Sequence, residues 1–133
     1  MGLLESLAAK LQTDGVGTYG TNIFVSSKAT IPSGAGPYMT LIETGGIAPI
    51  RTQSDGSFPA YQRPQIQVMA RATSYAAAKT MVENAYASLV ALQGATVGLD
   101  VIIQMTPIQE PFDLGVDEAN RARVVVNFAV LKR

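Results

Sequence analysis

Gln65-Ile66-Gln67-Val68-Met69-Ala70-Arg71 alternates polar and apolar residues, so that Ile66, Val68 and Ala70 share one face. A period of two marks a strand with one side buried. The period then changes. From Tyr75 to Leu92 the apolar positions Ala78, Met81, Val82, Ala85, Leu89 and Leu92 form one stripe at helical spacing. Thr73 or Ser74 stands where an N-cap is needed, and Gly94 where a left-handed C-cap is expected. A half-buried strand that runs straight into an amphipathic helix of about five turns calls for a helix laid on a sheet.

The same two periods account for much of the remaining chain. Leu3, Leu4, Leu7, Ala8 and Leu11 predict a short amphipathic helix, ended by Asp14-Gly15 and Gly17. Ile23-Phe24-Val25 and the run from Tyr38 to Thr44 predict strands, with a loop over 29–36 between them. Further strands are predicted at Val101–Met105, at Phe112–Gly115 and from Arg121 to about Leu131. In the last of these Ala122, Val124, Val126, Phe128 and Val130 share a face, after a turn at Asp117-Glu118-Ala119-Asn120. Gly45 to Arg63 is punctuated by Gly45-Gly46, Pro49, Asp55-Gly56 and Pro59, which predicts an irregular excursion or flexible hairpin outside the core. The expected fold is α+β in a single domain of 133 residues. It is an antiparallel sheet of about four main strands packed against two helices, with a protruding loop or hairpin.

Composition removes several kinds of chemistry. Without cysteine there is no disulfide, thiolate nucleophile or Cys-ligated metal, which fits folding in a reducing cytoplasm. Without histidine the usual general base and the commonest metal ligand are missing. Ten acidic residues balance ten basic ones with no run of either sign, so the basic stripe of a strong nucleic-acid binder is absent. A surface so near neutrality offers little repulsion against self-association. No apolar stretch is long enough for a transmembrane helix, and the start, Met1-Gly2-Leu3-Leu4-Glu5, lacks the pattern of a signal peptide.

Local motifs add no catalyst. Ser26-Ser27-Lys28 and Ser54-Asp55 read as turn chemistry. Asp113, Asp117 and Glu118 surround a predicted hairpin, without the spacing of a known calcium loop. Gly15-Val16-Gly17-Thr18-Tyr19-Gly20 has neither the preceding strand nor the following helix that a dinucleotide loop needs, and Ser33-Gly34-Ala35-Gly36-Pro37 fails likewise. No catalytic, cofactor-binding or metal-binding residue is expected, which leaves a surface for partners.

Two segments carry a resemblance. Arg63-Pro64-Gln65-Ile66-Gln67-Val68-Met69-Ala70-Arg71, leading into Ser74-Tyr75-Ala76-Ala77-Ala78-Lys79, resembles the centre of the tail terminator family of long-tailed bacteriophages, also known as minor capsid or tail completion proteins. Gln109-Glu110-Pro111-Phe112-Asp113-Leu114-Gly115-Val116-Asp117-Glu118-Ala119-Asn120-Arg121, before a strand with Asn127-Phe128, resembles its closing hairpin. Gly45 to Tyr61 follows no family pattern, and the turn reads Glu-Ala-Asn-Arg in place of a tighter Glu-Asn-Gly-Arg. The resemblance implies a structural virion protein, assembled in the host cytoplasm, that forms a hexameric ring on the head-proximal end of the tail tube. Such a ring ends tube polymerisation and presents a joining surface to a head–tail connector or stopper protein. DNA only passes through the hole, and no cofactor or membrane is involved.

Candidate residues follow, each with its plainer alternative. Arg63 and Arg71 flank a strand, either as ring-interface residues or as surface charges. Asp117 and Arg121 bracket the last hairpin, as a ring contact or as an ion pair within the hairpin. Phe58 and Tyr61 are candidates for tail-tube contact, since exposed aromatics anchor interfaces, or they pack back onto the sheet. Two rival functions remain: a head-completion or stopper protein on the capsid side, and a small-molecule-binding α+β domain. The second requires a deep pocket with convergent polar groups.

Overall fold

Residues 2–26, 31–32, 34, 36–51, 59–98, 100–118 and 120–132 are described by the computed structural model, with side chains described except at 47–51, 59 and 60. In chain order the elements are α1 (Leu3–Thr13), β1 (Ile23–Val25), β2 (Tyr38–Arg51), β3 (Pro59–Ala72), α2 (Tyr75–Val90), β4 (Gln93–Val97), β5 (Asp100–Pro107), β6 (Phe112–Val116) and β7 (Ala122–Lys132). The strands form one seven-stranded sheet in the order β1-β2-β3-β7-β5-β4, with β6 paired to β7 beside that path.

The centre of the sheet is built by the alternation that the sequence shows. β3 and β7 run antiparallel in the register Ile66↔Phe128, Val68↔Val126 and Ala70↔Val124, so the two apolar rows lie side by side. All six side chains are fully buried. Across them α2 lays Ala78, Met81, Val82, Ala85 and Leu89. Phe128 meets the ring of Tyr86 at a centroid distance of 6.0 Å, inside the range of favourable tilted aromatic pairs. Ser74 caps α2 by accepting a hydrogen bond from the Ala77 amide at 3.4 Å.

α1 completes the layer by burying Leu3, Leu7, Ala8 and Leu11. Its Glu5 lies in the first turn and Lys10 in the last, both signs matching the helix dipole. Asp14 then ties the two helices together, pairing with Lys10 at 2.7 Å and accepting a hydrogen bond from the Ser88 hydroxyl. Lys10 first, and Ser88 second, hold the Asp14 carboxyl below its usual range.

The sheet departs from expectation in three places. It is mixed and has seven strands, where about four antiparallel ones were predicted, because β1 lies parallel to β2 with Ile23 opposite Met39. β4 was not predicted at all. The helix stops at Val90 with Ala91 as a right-handed C-cap, and Gly94, at φ +65°, sits inside β4 instead of ending the helix.

The third concerns the segment expected as an irregular excursion or flexible hairpin: it is a hairpin, but a paired one that continues the sheet. Residues 45–51 and 59–63 are strand, extending the β2–β3 hairpin with Ile47 opposite Arg63 and Ile50 opposite Tyr61. The glycines that read as loop punctuation are absorbed by a bulge: the register shifts between Glu43 and Gly45, where Gly45 has φ +100° and Gly46 φ +149°. A Cβ on Gly46 would collide with the Arg63 carbonyl, so glycine is what lets the two strands stay paired there. The predicted Asp55-Gly56 turn, Ser27, Lys28, Ser54 and the aromatic Phe58 lie outside the described residues.

Phe128→Ala should lower the unfolding free energy by about 3–5 kcal/mol, the usual cost of emptying an aromatic site in a core. Phe112→Ala, at a ring 39% exposed, should change it by no more than about 1 kcal/mol. Urea denaturation of both variants measures the contrast.

Candidate interaction surface

Residues directly opposite one another in a sheet point to the same face. Since Ala70 and Val124 face the helices, their neighbours Arg71 and Arg123, themselves paired across β3 and β7, face the other side. The registers extend this row to Tyr38 on β2 and Gly115 on β6. The adjacent row on the same face is Thr40, Met69, Val125 and Phe112. Thr40 and Val125 are buried although neither belongs to the core cluster beneath the helices. The sheet face turned away from the helices therefore carries Met69, Val125 and Phe112 in one row and the paired Arg71 and Arg123 in the next.

The β6–β7 turn brings a carboxylate to this row. Asp117 closes the turn by accepting the Arg121 amide at Oδ1 (2.9 Å) and donating its own amide to the Arg121 carbonyl (3.0 Å), with Asn120 at φ +61° between them. Asp117 Oδ2 accepts from Arg121 Nε at 3.0 Å and lies 3.7 Å from Arg71 Nη1. Arg71 Nη2 also donates to the Pro32 carbonyl at 3.3 Å, and Arg123 Nη2 to the Val116 carbonyl at 3.2 Å. These charges are recessed: the side chains of Arg71, Arg121 and Asp117 are only 15–16% exposed. Burial first, and the charge of Arg121 second, push the Arg71 guanidinium below its ordinary value, against the pull of Asp117 and Tyr38.

Three of the four predicted ring residues, Arg71, Asp117 and Arg121, are thus one cluster, and the ion pair within the hairpin is formed. Arg63 is not part of it: it lies eight residues before Arg71 on β3, opposite Ile47. Tyr61 is half-buried on the extended hairpin opposite Ile50. Arg123 was missed by the sequence reading. The available signal was its alternation with Val124 and Val126, which places it on the solvent side of a strand that must pair with β3.

β6 was also underestimated. Phe112, Leu114 and Val116 are 39, 42 and 58% exposed, and Ile108 just before them is 51% exposed. Leu114 is the extra residue of a bulge, with the Asp113 carboxylate accepting the Gly115 amide at 2.8 Å and Gly115 at φ +104°. Among the described residues β6 pairs with β7 alone, so its second edge faces outward.

An open groove of 590 Å³ between α1 and α2 is lined by Lys10, Asp14, Val16, Asn84 and Ser88, and its two charges already pair with each other. Among the described residues no cluster of acidic side chains could hold a metal ion, and no helix is long and apolar enough to cross a membrane.

Residues 10–132 match the model of a family described as bacteriophage tail terminator protein. Fourteen chains of solved structures also match, among them one from the virion of a native gene transfer agent particle. That match has a TM-score of 0.66 and 17% identity, and it covers 98% of this chain and 93% of the other. At this identity the likeness concerns the fold. No curated protein matches the chain in sequence.

Asp117→Asn should destabilise the fold by about 1–3 kcal/mol, because it leaves recessed guanidinium groups without their carboxylate. Arg71→Gln added to Asp117→Asn should recover part of that loss, as a double-mutant cycle in urea would show.

Proposed function

This chain belongs to the bacteriophage tail terminator family, and on that premise we propose that it caps the growing tail tube as a hexameric ring. It is a structural protein of the virion tail. Bound at the head-proximal end, the ring stops the addition of tube subunits and presents the joining surface for a head–tail connector or stopper protein. DNA passes through the hole without being recognised, consistent with the balanced charge and the lack of a basic stripe. The observation that carries this reading is the family match, which spans residues 10–132, from within α1 to the end of β7.

The structure supplies surfaces suited to the task. A closed ring of identical subunits needs a head-to-tail contact between two different patches. Edge strands at β1 and β4, the outward edge of β6 and the Arg71–Asp117–Arg121 cluster offer such patches. Strand pairing fixes the register of a contact, and exposed apolar side chains on β6 supply its burial. The extended β2–β3 hairpin, with Tyr61 along it and Phe58 beyond the described part, is the element assigned to the tail tube, with Arg63 two residues after Tyr61 on β3. Function here is shape and association with no reaction step.

Deleting this gene from its phage and imaging the particles by electron microscopy tests the proposal. Headless tails of abnormal, overlong length are expected. Tails of normal length detached from heads would move the protein to the capsid side, and intact infectious virions would contradict any structural role in the tail.

A further inference from the structure

We propose that Arg71, Arg121 and Arg123 form a recessed anion-receiving site on the uncovered face of the sheet, completed by a carboxylate from a second copy of this chain. The inference rests on the ring reading and adds to it the chemistry of one contact. Three guanidinium groups share this corner with one carboxylate, Asp117. Arg71 and Arg123 are directly opposite across β3 and β7, an arrangement in which like charges repel. Arg71 Nε, Arg121 Nη1 and Arg123 Nε are buried without any hydrogen-bond partner among the described residues. A buried donor left unpaired costs free energy, more so when charged. The corner therefore has room for one more acceptor than the described residues of the subunit provide.

The chemistry of the missing group follows from the donors. Guanidinium forks favour planar oxyanions, and a recess at this depth admits the end of a side chain more readily than a flat surface. A nucleic-acid backbone is disfavoured, because no basic stripe continues from the corner to follow successive phosphates. The same chain carries the complement. It is neutral overall, so a local excess of positive charge is balanced elsewhere. Glu43, Glu83, Glu110 and Glu118 are exposed and make no ion pair among the described residues. A head-to-tail contact lets each subunit give a carboxylate from one patch and receive one at another. The exposed apolar side chain of Phe112, opposite Val125 in the next row, would be covered by the same neighbour.

Arg123→Gln is the discriminating variant, since among the described residues Arg123 makes one hydrogen bond, to the Val116 carbonyl, and no ion pair. In the isolated subunit it relieves repulsion, so the thermal midpoint should stay level or rise. Sedimentation velocity over a range of protein concentrations should show self-association weakened at least about tenfold, the scale of a lost desolvated charge contact. Arg123→Lys should recover part of it. Self-association untouched by Arg123→Gln would overturn the inference and leave the ring reading standing. A fall in thermal midpoint that accounts for the weaker association would reduce Arg123 to a structural role and overturn it too. A wild type that stays monomeric at every concentration removes the second copy as the source. A rise in its midpoint with inorganic phosphate alone would then assign the corner to a free oxyanion. Tail length in the deletion phage judges the capping reading separately in every case.

Discussion

The register between β3 and β7 is the constraint on which both faces of this molecule depend. Aligning Val68 with Val126 puts Ile66, Ala70, Val124 and Phe128 under α2 in one apolar layer. Because side chains alternate strictly, the same alignment sends Arg71, Arg123, Met69 and Val125 to the opposite face. A slip of one residue would exchange the two sets, burying guanidinium groups beneath the helix and presenting the core to water. Each buried aliphatic side chain is worth about 1.5–3 kcal/mol, so the slip is strongly opposed. The core therefore determines the placement of the charged corner as firmly as it determines its own layering.

Two consequences follow from a sheet covered by helices on only one side. The uncovered face must manage its own polarity, and here it does so unevenly. Thr40 and Val125 are buried, Asp117 neutralises part of a guanidinium cluster, and Phe112, Leu114 and Val116 remain open on an edge strand. An isolated subunit gains nothing from these last features, since an unpaired strand edge with apolar side chains invites association. In the proposed ring they would become contacts. The balance of acidic and basic residues, uninformative in a monomer, would in that ring let one copy complement the next.

The parts of the fold legible in the sequence were those with a clean period. α2 and the strands centred on Val68 and Val126 carry alternations that only one secondary structure satisfies, and Ser74 does cap the helix. Glycine was the recurrent source of error because its meaning depends on its partner strand. Gly94 reads as a helix terminator but lies in β4, while Gly45 and Gly46 read as an irregular excursion or flexible hairpin and form a bulge within a long paired one. The candidate site was half legible. Asp117 and Arg121 are close in sequence and their pairing follows from the turn, whereas the approach of Arg71 and the alignment of Arg123 arise from cross-strand register. No local pattern encodes that.

The family of this chain makes it a structural protein of the phage tail. Cryo-electron microscopy of the head-proximal end of completed tails tests this account most directly. A single layer of copies closing a ring on the last tube layer is expected, with the uncovered sheet face and β6 buried between neighbours. Copies repeated along the tube, or a ring in which both of those surfaces remain bare, would contradict it.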